Sequence, residues 1–202
     1  MIGLIDYGCG NLRAFQNIFK AANISSMAVT NSDQIEACDK FILPGVGSFD
    51  WVIRNFRSAP FFDKLEAAVL EEKKPILGVC VGMQIMATNS DEGVEQGLNW
   101  IGGTVKHLDF LSGNHLRLPH MGWNECKATL GNQLIEKTSA DSFYFLHSYY
   151  FAPSDPKHNV AKTTYGAEFC VFVKRDNIMG VQFHPEKSHS QGTNVLLKFA
   201  SY

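Results

Sequence analysis

Along the first ninety residues the apolar positions follow two alternating rhythms. Short, largely apolar runs fall at Ile2–Ile5, Met27–Val29, Phe41–Leu43 and Pro75–Val79, as expected of strands buried on both faces. Between them the spacing lengthens. Apolar residues at 12, 15, 18, 19 and 22 fit a helix with Asn11 as its N-cap. Helical material fills about Asp50 to Lys73, and Val81 to Thr88 again reads as helix. Strands alternating with helices predict a parallel, doubly wound α/β sheet. From Gly97 the texture changes to short β-like runs: Gly103–Leu108, Phe143–His147, Val160–Thr164, Glu168–Lys174 and Ile178–Phe183, with a helix at Thr193–Phe199. The pattern predicts one α/β domain over 1–202, a mostly parallel doubly wound sheet with an antiparallel β extension.

Composition narrows the function classes. With 18 basic and 20 acidic residues and a net charge of −2, the chain carries no electrostatic footprint for nucleic acid or an anionic membrane. No stretch approaches the ~18 apolar residues of a membrane helix. Met1–Tyr7 lacks the basic start of a secretory signal, so a cytoplasmic protein is expected. Five cysteines, at 9, 38, 80, 126 and 170, form no CxxC pair and are too sparse for a disulfide framework. They read as reduced thiols, one of which is a candidate nucleophile. Seven histidines without HExxH spacing, and no GxxxxGK[ST] loop, leave no metal or other cofactor to expect.

The strongest local signal is Ile76-Leu77-Gly78-Val79-Cys80-Val81-Gly82-Met83-Gln84. An apolar strand ends in Gly-x-Cys-x-Gly and a helix begins, the cysteine version of a nucleophile elbow. A sulfur there sits where backbone N–H groups and the helix dipole favour thiolate. A thiolate nucleophile needs a proton carrier and a group to orient it. Gln182-Phe183-His184-Pro185-Glu186-Lys187 offers both. In extended backbone His184 and Glu186 share a face about 6.5–7 Å apart. Acyl chemistry also needs oxyanion donors. The backbone N–H of Val81 is one, and the Pro44-Gly45-Val46-Gly47 turn supplies a second from Val46 or Gly47.

Together these segments resemble a class I triad glutamine amidotransferase, a flavodoxin-like α/β fold. Asp6-Tyr7-Gly8-x-Gly10-Asn11-Leu12, Pro119-His120-Met121-Gly122-Trp123-Asn124, Phe145-x-His147-Ser148-Tyr149-Tyr150 and His184-Pro185-Glu186-Lys187-Ser188 narrow the resemblance to the glutaminase subunits of imidazole glycerol phosphate synthases, collinear over essentially the whole chain. Val79 and Val81 stand where those subunits commonly have Ile and Leu. The resemblance implies that Cys80 attacks the glutamine amide, His184 relays protons and Glu186 orients His184. Gln84 and Glu92 would line the glutamine pocket, with backbone around Gly45, Ser148 and Tyr149 holding the substrate's α-carboxylate and amine.

The resemblance also implies a partner. Ammonia would pass through a tunnel into a (β/α)₈-barrel cyclase subunit, a separate chain forming a heterodimer with this one. The partner-facing surface would include Asn11, Met121, Trp123 and Lys187, although an ordinary core position is an equal reading of Trp123. The isolated chain is expected to be a poor glutaminase until the loaded partner docks. Three alternatives stay open: a paralogue feeding ammonia to a cyclase-like partner for amidation of a surface-polysaccharide sugar, a stand-alone cysteine hydrolase, and a non-catalytic scaffold, which the presence of all three triad residues disfavours.

Overall fold

A computed structural model describes residues 1–109, 117–129, 134–135 and 141–202. The strands at its centre are the apolar runs of the sequence. β1 (Ile2–Ile5), β2 (Ser26–Val29), β3 (Lys40–Gly45) and β4 (Ile76–Cys80) pair in parallel, and β12 (Ile178–Val181) joins β4, also in parallel. β11 (Ala167–Arg175), β10 (Asn159–Tyr165), β7 (His120–Ala128) and β8 (Asp141–His147) continue the same sheet antiparallel. The order is β2-β1-β3-β4-β12-β11-β10-β7-β8, nine strands in all among the described residues. A three-stranded sheet, β5 (Asn89–Ser90), β6 (Gly103–His107) and β9 (Tyr149–Pro153), lies beside it. The mostly parallel core with an antiparallel extension is the expected α/β class.

Helices cover the parallel half with apolar stripes. α1 (Leu12–Ala21) buries Phe15 and Phe19, and the Asn11 side chain caps it by accepting from the Ala14 N–H at 3.3 Å. The helical stretch expected from Asp50 to Lys73 is two helices, α3 (Phe49–Arg57) and α4 (Phe62–Leu70). Pro60 falls in the turn between them and supplies no backbone donor to continue the first. A short α2 (Asp33–Glu36), not expected from the pattern, precedes β3. The helix begun at Val81 is a single turn, α5 (Val81–Gln84). It stops because the carbonyls of Ile85, Met86 and Ala87 accept instead from Leu98, Ile101 and Asn99. α6 (His189–Ser201) buries Val195, Leu196 and Phe199.

Three strands were hidden from the pattern, the two-residue β5 among them. β7 mixes Gly122 and Asn124 into its run, and β9 follows β8 after one residue, where the apolar run seemed to end at His147. β12 stops at Val181, two residues short of the expected end. The two halves of the sheet are joined by aromatic packing. Phe183, just past β12, stacks on Phe143 of β8 with centroids 4.0 Å apart.

Candidate active site

The register of the parallel strands places three chain reversals side by side. Val181 of β12 pairs with Val79 of β4, and Gly45 of β3 pairs with Cys80. The chain therefore leaves β12, β4 and β3 at one edge, where α/β sheets gather their sites. Cys80 adopts φ 55° and ψ −115°, a left-handed conformation strained for any residue with a Cβ. The flanking glycines make this turn possible. A Cβ on Gly82 would lie 2.0 Å from the Leu43 carbonyl oxygen, and one on Gly78 would lie 2.7 Å from that of Gly82. The elbow is thus wedged onto β3 backbone to backbone. The Val81 N–H opens α5, one of the helix-start amides with no intrahelical acceptor.

His184 comes off β12 in extended conformation, its carbonyl accepting from the Ser188 hydroxyl at 2.6 Å and its N–H donating to the Tyr144 carbonyl at 2.9 Å. Its Nδ1 lies 2.9 Å from Glu186 Oε1, both side chains being 6% exposed. The expected extended pairing of these two residues is corrected. Pro185–Lys187 form a 3₁₀ turn with Pro185 at its first position, and the turn folds the carboxylate back under the ring. With Nδ1 donating to Glu186, Nε2 is the ring nitrogen left for Cys80. Burial alone would push the imidazole down. Hydrogen bonding and charge from Cys80 and Glu186 more than reverse this and lift it to about 10.

Cys80, Val81 and His184 line a cavity of about 320 Å³ with Val46, Gly47, Gln84, Glu92, Leu146, His147, Ser148, Tyr149 and Lys187, a size at the lower end of small-molecule sites. Larger open grooves, such as that lined by Asn194, Leu197, Lys198, Ser201 and Tyr202, gather no nucleophile or imidazole. Glu92 Oε2 accepts from the Phe49 N–H at 2.9 Å and caps α3. Burial raises its carboxyl above the usual range, against that hydrogen bond. Among the described residues no cluster of three or more His, Cys, Asp or Glu could hold a metal ion, and no helix is long and apolar enough to cross a membrane.

A buried thiol at a strained strand–helix turn, sharing a cavity with a carboxylate-oriented imidazole, suits thioester chemistry on a small amide. The family model for class-I glutamine amidotransferases matches residues 4–201. The chain belongs to the class-I glutamine amidotransferase family. A relative from Leptospira borgpetersenii, named imidazole glycerol phosphate synthase subunit HisH, is 46% identical over 100% of both chains. One of the same name from Bdellovibrio bacteriovorus is 41% identical over 99% of each. Among solved structures, a crystal structure of a glutamine amidotransferase has a TM-score of 0.74 at 19% identity, covering 100% of this chain and 99% of that one. PurLQS from Thermotoga maritima reaches 0.72 at 16%, covering 100% and 97%. These structural likenesses concern the fold.

In this amidotransferase the residues picked out by sequence are not all used as expected. Gly45 is absent from the cavity lining. It packs behind the elbow, where a Cβ would lie 2.1 Å from the Gly82 nitrogen. Val46 and Gly47 do reach the cavity, with the Cys9 thiol buried beside the Val46 backbone. Burial pushes that thiol up to about 11, and hydrogen bonding with Tyr7 and the Val46 backbone partly offsets it. The Tyr7 hydroxyl donates to the Pro44 carbonyl, so the first turn of the chain clamps the end of β3. Met121 is 65% and Trp123 48% exposed, which removes the core reading of Trp123. Lys187 is exposed at the cavity mouth, and Asn11 is exposed on α1, which contacts the Pro185–Lys187 turn.

Sequence reasoning missed Gln182. It is fully buried, and its Nε2 lies 3.6 Å from Cys80 Sγ. Its Oε1 accepts from Gln84 Nε2 at 3.0 Å, and Gln84 Nε2 also donates to the Tyr149 carbonyl at 3.0 Å. The signal was available: a glutamine inside an otherwise apolar strand run, Met179-Gly180-Val181-Gln182-Phe183, demands a buried partner.

Proposed function

We propose that this chain is the glutaminase subunit of an imidazole glycerol phosphate synthase, hydrolysing glutamine to glutamate and ammonia for a cyclase partner in histidine biosynthesis. The observation that carries the chemistry is the cavity shared by Cys80, at φ 55°, and His184, whose Nδ1 is held by Glu186. Cys80 Sγ attacks the side-chain carbonyl carbon of glutamine. The carbonyl π electrons move to oxygen, which accepts from the Val81 N–H and from the Val46–Gly47 segment. As the tetrahedral species collapses, His184 Nε2–H gives its proton to the leaving nitrogen, ammonia departs and a γ-glutamyl thioester remains. Water then attacks that carbon, losing a proton to His184, and glutamate leaves as the C–S bond breaks. Glu92 is the acidic wall for the substrate's ammonium group. Gln84, Ser148 and Tyr149 line the rest of the glutamine pocket.

The partner is read as a (β/α)₈-barrel subunit forming a cytoplasmic heterodimer with this single-domain chain. Met121 pairs across β7–β8 with Leu146, and Trp123 with Tyr144. Of these, Leu146 lines the cavity beside Lys187, whose ammonium lies over the Tyr144 ring at 5.8 Å. An exposed Trp beside a Met is a fitting interface anchor. The sugar-amidation reading is not favoured, since full-length relatives at 41–46% identity carry the imidazole glycerol phosphate synthase name. The decisive experiment is Cys80→Ala in the assembled synthase. Glutamine-dependent synthesis should fall at least about 10³-fold while ammonia-dependent synthesis is retained. Loss of both would make Cys80 structural. Turnover by the isolated chain should be low and rise when the loaded partner docks.

A further inference from the structure

His120 and His147 take no part in the hydrolysis described above, yet they sit buried as a cross-strand pair of β7 and β8, 3% and 6% exposed. His120 Nδ1 lies 2.9 Å from His147 Nε2. Which nitrogen holds each proton follows from their neighbours. His147 Nδ1 is 2.8 Å from the Tyr149 carbonyl, which can only accept, so Nδ1 carries the proton and Nε2 is an acceptor. His120 must then donate from Nδ1, leaving its Nε2 to accept from the Asn124 amide at 3.2 Å. The amide cannot be turned around: Asn124 Nδ2 also donates to the Thr164 carbonyl at 2.9 Å, and Oδ1 accepts from the Glu125 N–H at 2.9 Å. Burial holds both rings neutral, at about 4 for His120 and about 3 for His147, where His120 and His184 add to the effect. One proton per ring is what this chain of donors needs. The His120 ring is also clamped, stacked on Phe145 at 4.7 Å and on Tyr165 at 4.2 Å.

A second directed chain arrives at the same carbonyl from the nucleophile's side. Gln84 spends one amide hydrogen on Tyr149 and the other on Gln182 Oε1, which turns the Gln182 amino group toward Cys80. The Tyr149 carbonyl is where the two chains meet. It closes the cavity wall formed by Ser148 and Tyr149, and it ties that wall to Asn124, the neighbour of exposed Trp123.

We propose that His120 and His147 are positioning residues for glutamine: they fix the Tyr149 carbonyl from the β7 side and so hold the Ser148–Tyr149 wall in its substrate-accepting shape. This rests on the reading of that wall as part of the glutamine pocket. The test uses the assembled synthase. In His120→Phe the ring still stacks between Phe145 and Tyr165 but cannot donate to His147. The KM for glutamine should rise about tenfold with kcat and ammonia-dependent synthesis little changed. In His120→Asn an amide can again donate to His147 Nε2, and KM should return to within about threefold of the wild type. A fall in melting temperature with KM unchanged in His120→Phe would overturn the proposal. Glu92→Gln separates the two layers. If it raises KM while His120→Phe does not, the positioning role fails; if neither changes KM, the pocket reading fails. Long-range ¹H–¹⁵N spectra of the unmodified protein near pH 7 test the directed chain without any variant. Both rings should be neutral Nδ1–H tautomers, and an Nε2–H tautomer or a charged ring in either would overturn it.

Discussion

Cys80 and Tyr149 line one cavity, and the chain around them holds them by different means. Behind Cys80 are β3, β4 and β12, buried along almost their whole length, with backbone pressed on backbone at Gly45, Gly78 and Gly82. Placement there comes from close packing with no room for a methyl group. Tyr149 opens β9, paired with β6, and its carbonyl is tied through His147 to β8 and β7, whose residues alternate between buried and more exposed. Placement there comes from donors and acceptors passed from Asn124 through two imidazoles to a carbonyl. The imidazoles differ accordingly. His184, beside the thiol and a carboxylate, is lifted to about 10, whereas burial lowers His120 and His147 to about 4 and 3. Cys80 is held by shape, and the Tyr149 carbonyl is held in register by polarity.

The largest effect should fall on the charged imidazole. Glu186→Gln removes the carboxylate that orients His184 and sustains its proton. Glutamine-dependent kcat is expected to drop about 10³-fold in steady-state assays while ammonia-dependent synthesis persists. A change under tenfold would mean that Cys80 and the backbone suffice to hold the ring. Next come the glycines. Gly82→Ala, driving a Cβ into the Leu43 carbonyl, should cost about 3 kcal/mol in denaturant unfolding. Gly122→Ala, on β7 at φ 119° with nothing within 4 Å, should cost only about 1 kcal/mol of backbone strain. Equal costs would erase the contrast between the walls. Trp123→Ala should weaken docking of the cyclase subunit about tenfold, measured by titration calorimetry.

The pH dependence of stability differs in sign between the walls. The stability contributed by His184, raised above an unfolded value near 6.5, is fully present below that pH and is lost as pH rises through about 10. His120 and His147, lowered in the fold, act oppositely. The unfolded chain takes up protons first, so stability declines as pH falls from about 6.5 towards 4 and 3. Urea midpoints between pH 4 and 7 should show a shallower acid decline in His120→Phe than in the unmodified protein.

The packed wall was the legible one. Strands buried on both faces leave unbroken apolar runs, and a strained elbow must advertise its glycines, so β1, β3, β4 and Cys80 could be read from residue order alone. His184 and Glu186 were found as a pair, but their geometry was not, because Pro185 both permits an extended segment and starts a 3₁₀ turn. The polar wall was nearly silent. β7 carries Gly122 and Asn124 where a strand pattern wants β-branched residues, and β9 ends in a proline. Hydrogen-bond partners such as Asn124 and Thr164 are 40 residues apart. No local pattern reports a donor whose acceptor arrives from another strand. Gln182 lay between these cases, visible as a polar intrusion but with no local clue to its partner.

The sheet order places β12 between β4 and β11, so a strand from the last quarter of the chain sits at the middle of the sheet. During synthesis, β1 through β4 can be complete while the central position next to β4 is still empty, and Cys80 then has neither its base nor the Gln182 amide. Such a half-made chain has a thiol on a strand edge and no means of turning over glutamine. Hydrolytic capacity would therefore switch on late and all at once, when β12 enters the sheet and carries residues 182–186 to Cys80. Destabilising β12 should then abolish activity before it abolishes the β1–β4 layer, making loss of turnover an early reporter of partial unfolding.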